Sequence, residues 1–133
     1  MLKLLLIKRY KSVALEDKSL LPHLPGIYYA ICGNRILYIG QATNLHLRWN
    51  SKRFGDHHRL KDLQKFRNVR LYYKPHPKYK LDYQEALAIR ALRPKLNVVK
   101  PRIIKPLRVC FEELLGWGTG CAIGFTGFMV CLR

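Results

Sequence analysis

The pattern of apolar residues predicts a β-hairpin in the first third of the chain. Two runs of β-branched and aromatic residues, GIYYAIC and ILYIG, flank Gly33-Asn34, a pair that tolerates the positive φ of a tight turn. With a three-residue loop, Tyr28 would lie opposite Tyr38 and both side chains would share one face of the sheet. A two-residue loop would place Tyr29 opposite Tyr38 and Tyr28 on the other face. The sequence leaves both registers open.

After the hairpin, the pattern predicts helices and one more strand. Asn44 suits the N-cap of a short helix. Apolar residues at helical spacing predict a second helix near residues 60–66, and alternation over 69–73 predicts a third strand. The longest predicted helix covers 79–92, a stretch rich in Ala and Leu that ends at Pro94. The expected fold is α/β (α+β), with a small three-stranded antiparallel sheet flanked by helices.

Composition divides the chain into four parts. They are a basic lead-in segment (1–21), a compact domain (22–98), a basic proline-containing linker (99–106) and an apolar glycine-rich tail (107–133). Within the tail, residues 114–132 carry no charge and are long enough to cross a bilayer, with glycines at a spacing that suits helix packing there. The many glycines make this span weakly hydrophobic. A glycine-rich extension that stays out of the membrane is therefore the alternative.

The charge predicts a polyanionic partner. The chain has 25 basic and 8 acidic side chains, a net charge of +17. All but one of the basic residues and all but two of the acidic ones precede residue 109, so residues 1–108 carry +18. Such a field attracts nucleic acid, because each neutralised phosphate releases counterions. A cationic surface without a specific partner, or binding to anionic lipid, is the alternative.

Cysteines and the N-terminus indicate a cytoplasmic location. The four cysteines lack the paired spacing of a zinc site. The apolar run at the start is ended by Lys8-Arg9 after too few residues for a cleavable signal peptide. A reducing, cytoplasmic setting with free thiols is the default expectation.

Chemistry-bearing residues follow the hairpin in a recognisable order. The set comprises Tyr28, Tyr38, Arg48, His57, His58, Glu85 and Asn97. With the GIY and YIG triplets at this spacing, the chain resembles the GIY-YIG nuclease family over residues 22–98. The resemblance implies an endonuclease that hydrolyses DNA phosphodiester bonds with Mg²⁺ or Mn²⁺. No further recognition domain is evident, so we expect weak sequence specificity.

Glu85 is the predicted metal ligand. On the 79–92 helix it lies in line with Leu81, Ala88 and Leu92, within an apolar stripe. A carboxylate there needs a partner, which is either a basic side chain or a divalent cation. Mg²⁺ is often held by one carboxylate together with waters and phosphate oxygens. The resemblance also places the family's metal-binding glutamate at this position.

The resemblance implies roles for four other residues. Arg48 would contact the scissile phosphate, and its guanidinium can fork onto two phosphate oxygens. One of Tyr28 and Tyr38 would activate the attacking water and the other would orient it. A free phenol, with a pKa near 10, is a poor base until a cation stabilises its anion. Asn97 would tie the site together through amide hydrogen bonds.

Two points in the motif are less regular. His57 and His58 are adjacent, so only one can readily face the site, as a proton shuttle or a phosphate hydrogen-bond donor. Gln41 follows the YIG triplet, where the similar excision-repair nucleases tend to carry lysine. A neutral amide supplies no positive charge to a phenolate.

Basic residues after Arg48 are the predicted DNA contacts. They are Lys52, Arg53, Arg59, Lys61 and Lys65. Two alternatives to a nuclease remain: a catalytically inactive DNA-binding module of the same fold, and a membrane-tethered nuclease or adaptor held by the tail.

Overall fold

The computed structural model describes residues 2–51, 58–98 and 101–108. Four antiparallel strands form one sheet: β1 (Lys11–Ala14), β2 (Gly26–Cys32), β3 (Arg35–Ala42) and β4 (Val69–Pro75), in the spatial order β1-β4-β2-β3. The helices are α1 (Leu2–Ile7), α2 (Leu45–Asn50), α3 (Leu60–Gln64) and α4 (Leu81–Leu92). The chain divides into compact units at residues 1–103 and 104–133, and these elements all belong to the first.

The sheet has one strand more than the three predicted. The additional strand, β1, comes from the basic lead-in segment and pairs antiparallel with β4, from Lys11 opposite Tyr73 to Ala14 opposite Arg70. It is only four residues long and its burial does not alternate. The sequence therefore carries no period-two signal there, and β1 extends the sheet through its pairing with β4.

The hairpin turn has two residues, not three. Cys32 pairs with Arg35, which leaves only Gly33 and Asn34 in the loop. Gly33 has a φ of +57°, a conformation that glycine adopts without steric cost. The three-residue loop considered from the sequence is therefore wrong.

A β-bulge then changes the register that this turn would set. The pairing shifts between residues 30 and 31, where Leu37 is the extra residue on β3. Beyond the bulge, Ala30 lies opposite Tyr38 and Tyr28 lies opposite Gly40. Neither register considered from the sequence is observed. The two phenols nevertheless share a face of the sheet. Tyr28 and Ala30 are two residues apart on β2 and point to the same side, and Tyr38 lies opposite Ala30.

The sheet separates two apolar cores. Helices α2 and α3 cover one face, where Trp49, Leu45 and Leu63 pack with Tyr28 and Tyr38. Helices α1 and α4 cover the other face, where Ile7 and Ile89 pack on alternate residues of the same strands. The predicted N-cap of α2 is confirmed, since Asn44 accepts a hydrogen bond from a backbone N–H of the first turn.

Strand β3 lies at an edge of the sheet, but its outer side is covered. The backbone N–H groups of Lys95 and Leu96 donate to the carbonyls of Ile36 and Leu37 at 3.3 and 2.8 Å. The chain after α4 therefore runs along β3 and satisfies groups that an edge strand would otherwise expose.

Several sequence predictions concern residues outside the described part of the chain. They are Lys52, Arg53, His57 and the 114–132 span. In residues 2–51, 58–98 and 101–108, no helix is long and apolar enough to cross a bilayer.

Candidate active site

Tyr28 and Tyr38 form the centre of the site. Their ring centroids are 6.2 Å apart with an interplanar angle of 37°. Tyr28 is only 1% exposed, and the Trp49 ring meets it edge-on at 5.2 Å. Tyr38 is 8% exposed and lies two residue pairs nearer the turn. The two phenols are thus held by packing before any ligand binds.

Gly40 makes room for the Tyr28 ring. A Cβ at this position would lie 2.5 Å from Cζ of Tyr28 and closer still to its hydroxyl. Any side chain there would have to displace the phenol. The glycine of the YIG triplet is therefore a packing requirement of the GIY tyrosine.

Both phenols are neutral at neutral pH. Burial raises the pKa of Tyr28, and the neighbouring Tyr38 raises it further, while a hydrogen bond to Arg48 opposes both effects. Burial also raises the pKa of Tyr38, as does the charge of Glu85, and Arg48 and Arg59 oppose this. Additional positive charge is therefore needed to favour either phenolate.

His58 links Tyr38 to Arg48. Its Nε2 is 3.3 Å from the Tyr38 hydroxyl and its Nδ1 is 3.3 Å from Nη2 of Arg48. Desolvation and then the charges of Arg48 and Arg59 lower the pKa of His58, so the ring is neutral at pH 7. Arginine has only donors, so Nδ1 must accept from Arg48 and Nε2 must carry the proton. His58 therefore donates to the oxygen of Tyr38, an arrangement that favours the phenolate.

Glu85 approaches the same strand from α4. Burial raises the pKa of its carboxyl, while hydrogen bonds from the side chain and backbone of Gln41 lower it, as does the charge of Arg48. The negative charge of Glu85 in turn raises the pKa of both Tyr28 and Tyr38. The carboxylate is thus half-buried within electrostatic reach of the phenols and the guanidinium.

Asn97 supports the site through the backbone of β3. Its Oδ1 accepts from the N–H of Ile39 at 2.9 Å, and its Nδ2 donates to the carbonyl of the same residue at 2.9 Å. This bidentate contact fixes the residue that follows Tyr38. Asn97 therefore holds the strand in place through its backbone.

Solved structures with a similar fold were found, although no protein-family model and no curated protein matches this sequence. The N-terminal GIY-YIG endonuclease domain of UvrC from Thermotoga maritima, with magnesium bound, is 25% identical, with a TM-score of 0.53 over 63% of this chain and 96% of that one. A variant of that domain with a tyrosine changed to phenylalanine, bound to its catalytic divalent cation, is 24% identical with the same TM-score, over 63% and 93%. This chain contains a GIY-YIG nuclease-like domain.

The GIY-YIG nuclease-like domain brings five of the predicted site residues together around β3. They are Tyr28, Tyr38, Arg48, His58 and Glu85. His57 lies outside the described residues, so its placement stays a prediction.

Two of the predicted DNA contacts are engaged in ion pairs within the domain. Arg59 and Lys65 contact the carboxylate of Asp62 at 3.2 and 3.1 Å, whereas Lys61 is exposed. Surface ion pairs of this kind are weak, so both cations can rearrange towards a phosphate.

Three contributors to the site were not found by sequence reasoning. Trp49 looked like an ordinary apolar helix position, and the need for a glycine at Gly40 became evident only from its cross-strand partner. Asp82 precedes Glu85 by three residues on α4 and binds Gln41. The i, i+3 spacing of the two acids was the available signal for Asp82.

The residues present fit a magnesium-like cation held by few protein ligands. Within the described part of the chain, no group of three His, Cys, Asp or Glu side chains could hold a metal by itself. A single carboxylate beside solvent-exposed Arg48 suits a hard cation that keeps its waters and shares the substrate's phosphate. Mg²⁺ or Mn²⁺ fits this donor set, whereas a structural zinc site does not.

Proposed function

We propose that the protein is a divalent-metal-dependent endonuclease that hydrolyses DNA phosphodiester bonds. The observation that carries the proposal is the Arg48–His58–Tyr38 hydrogen-bonded series beside Glu85. In this proposal Tyr38 would be the base, Arg48 the cation that binds the phosphate and Glu85 the metal ligand, and the nearness of all three to strand β3 supports it. The similar UvrC domain is an endonuclease with a catalytic divalent cation, which supports the same class of reaction here.

Tyr38 is the proposed base. Its oxygen receives the hydrogen bond from His58, whereas the hydroxyl of Tyr28 is buried over Gly40. With a cation bound nearby, Tyr38 would lose its phenolic proton to solvent, and the resulting phenolate would take a proton from the attacking water. Trp49 packs edge-on against Tyr28, and the Tyr28 ring in turn packs against that of Tyr38.

Arg48 binds the scissile phosphate. It is exposed to solvent and can place two N–H groups on non-bridging oxygens while its contact with His58 orients it. Glu85 would hold the cation, which supplies positive charge for the phenolate and for the charge that develops on the phosphate.

DNA is the proposed partner, bound mainly through its phosphates. Lys61 on α3 and the two cations paired with Asp62 lie on the segment that follows His58. Contacts of this kind position a duplex without reading its sequence. Weak intrinsic specificity follows, and a cytoplasmic location stays a prediction.

The decisive experiment is cleavage of plasmid and branched DNA by the wild type and by Glu85→Gln, with Mg²⁺ and with chelator. The wild type should cleave only with metal, and Glu85→Gln should lose cleavage while binding DNA within a few fold, since it removes a metal ligand and no cation. Glu16→Gln, an exposed change of the same kind, should behave as the wild type. Undiminished turnover by Glu85→Gln would refute the metal assignment.

A catalytically inactive DNA-binding module is the second candidate, and Gln41 is the observation that favours it. The amide brings no positive charge to the phenols, both of which have raised pKa values because they are buried. Salt-sensitive DNA binding without metal-dependent turnover, over a broad pH range, would establish this candidate. The membrane-tethered alternative concerns the 114–132 span and stays a prediction.

A further inference from the structure

A cavity of about 260 Å³ lies at the β1 edge of the sheet, at the end away from the hairpin turn. Aromatic, basic and apolar side chains line it, among them Tyr10, Lys11, Leu24, Tyr73 and Lys74. Both lysines are exposed, and both tyrosine rings are half-buried. None of the described residues that line the cavity is acidic. The cavity therefore offers aromatic surface and positive charge to a ligand.

The cavity is on the same side of the sheet as the candidate active site. Lys11 pairs with Tyr73, and Tyr73 pairs with Tyr28, so the three residues form one row across β1, β4 and β2. Tyr73 packs against the core that contains Tyr28, and the two rings therefore share a face. Because neighbouring strands are about 4.8 Å apart, the backbone of Lys11 lies about 10 Å from that of Tyr28.

One wall of the cavity is tied to the helix that carries Arg48. The carbonyl of Leu24 accepts from the backbone N–H of Leu45 at 2.9 Å. The carbonyl of Pro22, which also lines the cavity, accepts from that of His46 at 3.1 Å. Leu45 and His46 are the first two residues of α2. The wall is therefore fixed relative to the proposed phosphate contact.

The lining suits a ligand that has a flat aromatic face and a negative charge. The ammonium of Lys74 is 5.4 Å from the centre of the Tyr10 ring, so a cation is held next to the aromatic surface. Aromatic side chains beside basic ones are what single-stranded nucleic acid binds, because each base has a face that can stack and each phosphate has a charge. In a duplex, neighbouring bases cover those faces. A base can therefore reach Tyr73 only where the strand is unpaired.

A proline-rich peptide is the competing occupant, since such peptides bind grooves lined by aromatic residues. That mode of binding requires no basic residues. The lysines of the cavity and the +18 of residues 1–108 favour a polyanion instead.

We propose that this cavity binds a nucleotide from an unpaired stretch of DNA, with its base stacked on Tyr73 and its phosphates in contact with Lys11 and Lys74. A distance of about 10 Å corresponds to about three nucleotides at the duplex spacing of about 3.4 Å. The preferred substrate would therefore be branched DNA that carries an unpaired strand next to the bond that is cut. This substrate preference rests on the proposed function, whereas the binding site does not.

The first test measures binding without metal, by fluorescence anisotropy of a labelled oligothymidine and of the same strand annealed to its complement. In chelator, Tyr73→Leu should bind the single strand about tenfold more weakly, because one stacking contact is lost, and the duplex within about twofold of the wild type. Tyr73→Phe keeps the ring and should bind as the wild type does. Tyr72→Leu is the matched control, since Tyr72 packs on the opposite face of the same strand.

Unchanged single-strand affinity of Tyr73→Leu would overturn the proposal, as would an equal loss for single strand and duplex. Binding of a polyproline peptide that depends on Tyr73, with oligonucleotide binding that does not, would assign the cavity to the competing occupant. Thermal unfolding of each variant shows whether the domain is folded.

A surface variant provides a second test that does not change the core. Lys11→Ser should lower the slope of log affinity for the single strand against log salt by about 0.7, the value for one phosphate contact. Lys3→Ser, on α1 at the other face of the sheet, should leave the slope unchanged. Equal slopes for Lys11→Ser and the wild type would show that no phosphate is bound at the cavity.

Cleavage kinetics separate this inference from the proposed function. With Mg²⁺ and a duplex that carries an unpaired flap, Tyr73→Leu should raise KM about tenfold while kcat stays within about threefold of the wild type. If the wild type cleaves no DNA but Tyr73→Leu still weakens single-strand binding, the proposed function fails and the binding site stands. If the wild type cleaves the flap substrate and Tyr73→Leu has the same KM and the same single-strand affinity, the binding site fails and the proposed function stands.

Discussion

Tyr28 and Gly40 are direct partners across the β2–β3 ladder, and the tyrosine ring covers the glycine. The GIY and YIG triplets therefore meet in space, with a residue of one packed on a residue of the other. A phenol buried in this way has a fixed orientation, which the proposed reaction at the neighbouring Tyr38 would require.

Substitution of Gly40 by alanine should damage both the fold and the site. The new Cβ would overlap the Tyr28 ring, and overpacking of this kind costs about 1–3 kcal/mol. We expect a lower free energy of unfolding in denaturant titration and cleavage reduced by at least about tenfold, because the displaced ring moves against Tyr38. Gly33→Asn is the matched control. No atom lies within 4 Å of a Cβ there, and asparagine tolerates the φ of +57°. A Gly40→Ala variant as stable and active as this control would contradict the packing argument.

Removal of the Asn97 amide should loosen β3. Asn97→Ala loses two hydrogen bonds to Ile39 in a partly buried place, a change expected to cost about 1–3 kcal/mol. Hydrogen exchange at the Ile39 amide should accelerate, and the melting temperature should fall. Asn34→Ala removes an amide at the hairpin turn that accepts one solvent-exposed hydrogen bond, from Lys8, and should change neither. Unchanged exchange at Ile39 would show that the strand is held by other contacts.

Acid should abolish the proposed cleavage activity through His58. Desolvation and then the charges of Arg48 and Arg59 hold the pKa of His58 below its ordinary value of 6.5. A depressed histidine pKa means that its contribution to stability is complete above about pH 6.5 and is lost as the pH falls through the folded-state value. Protonation also gives Nδ1 a hydrogen, which ends its acceptance from Arg48.

The midpoint of this transition can be measured by an NMR titration of the His58 ring. It should lie below 6.5 and coincide with the acid limb of the cleavage rate. In His58→Asn that limb should disappear or move. A ring that titrates above 6.5 would show that a carboxylate, and not the two arginines, dominates its surroundings.

DNA affinity should fall steeply with salt. If about six phosphates are contacted, the affinity should drop by about a thousandfold between about 50 and 200 mM salt. Lys61→Ser should reduce the slope by about one, because one phosphate contact is lost. Lys3→Ser, on α1 at the other face of the sheet, should leave the slope unchanged. A flat salt response would mean that the +18 of residues 1–108 does not form a phosphate-binding surface.

Deletion of residues 107–133 should leave the nuclease fold intact. The sheet, the four helices and the described site residues all lie in the first compact unit. The truncated chain should also be more soluble, since 114–132 is uncharged and largely apolar. A lower melting temperature together with lost cleavage would show that the tail completes the domain.

Sequence periodicity predicted the elements whose signals are local. The Asn44 cap and the helix ending near residue 92 need only neighbouring residues to be recognised, and both are confirmed. The resemblance predicted the fold, which the similar solved structures support. Strand β1 was missed because its four residues gain their stability from β4, which lies far along the chain.

The bulge at Leu37 could not be predicted from composition. An extra residue in a strand produces no characteristic pattern when both it and its neighbour are buried, as Leu37 and Tyr38 are. The sequence therefore suggested that the two tyrosines share a face, but only for a three-residue loop, which is not the loop observed. Likewise, Gln41 was noted as a departure from similar nucleases, but its contact with Asp82 depends on how α4 docks against β3.

Residues 95–97 cover the outer edge of β3, and this contact bears both on the proposed catalysis and on the tendency of the chain to aggregate. An uncovered edge strand is a template on which a second molecule can add its own strand. Here the amide that fixes Ile39 beside Tyr38 also occupies that template. A chain that loses Asn97 should therefore aggregate more readily and also hold Tyr38 less firmly, so that one side chain protects the sheet edge and the geometry of the site together.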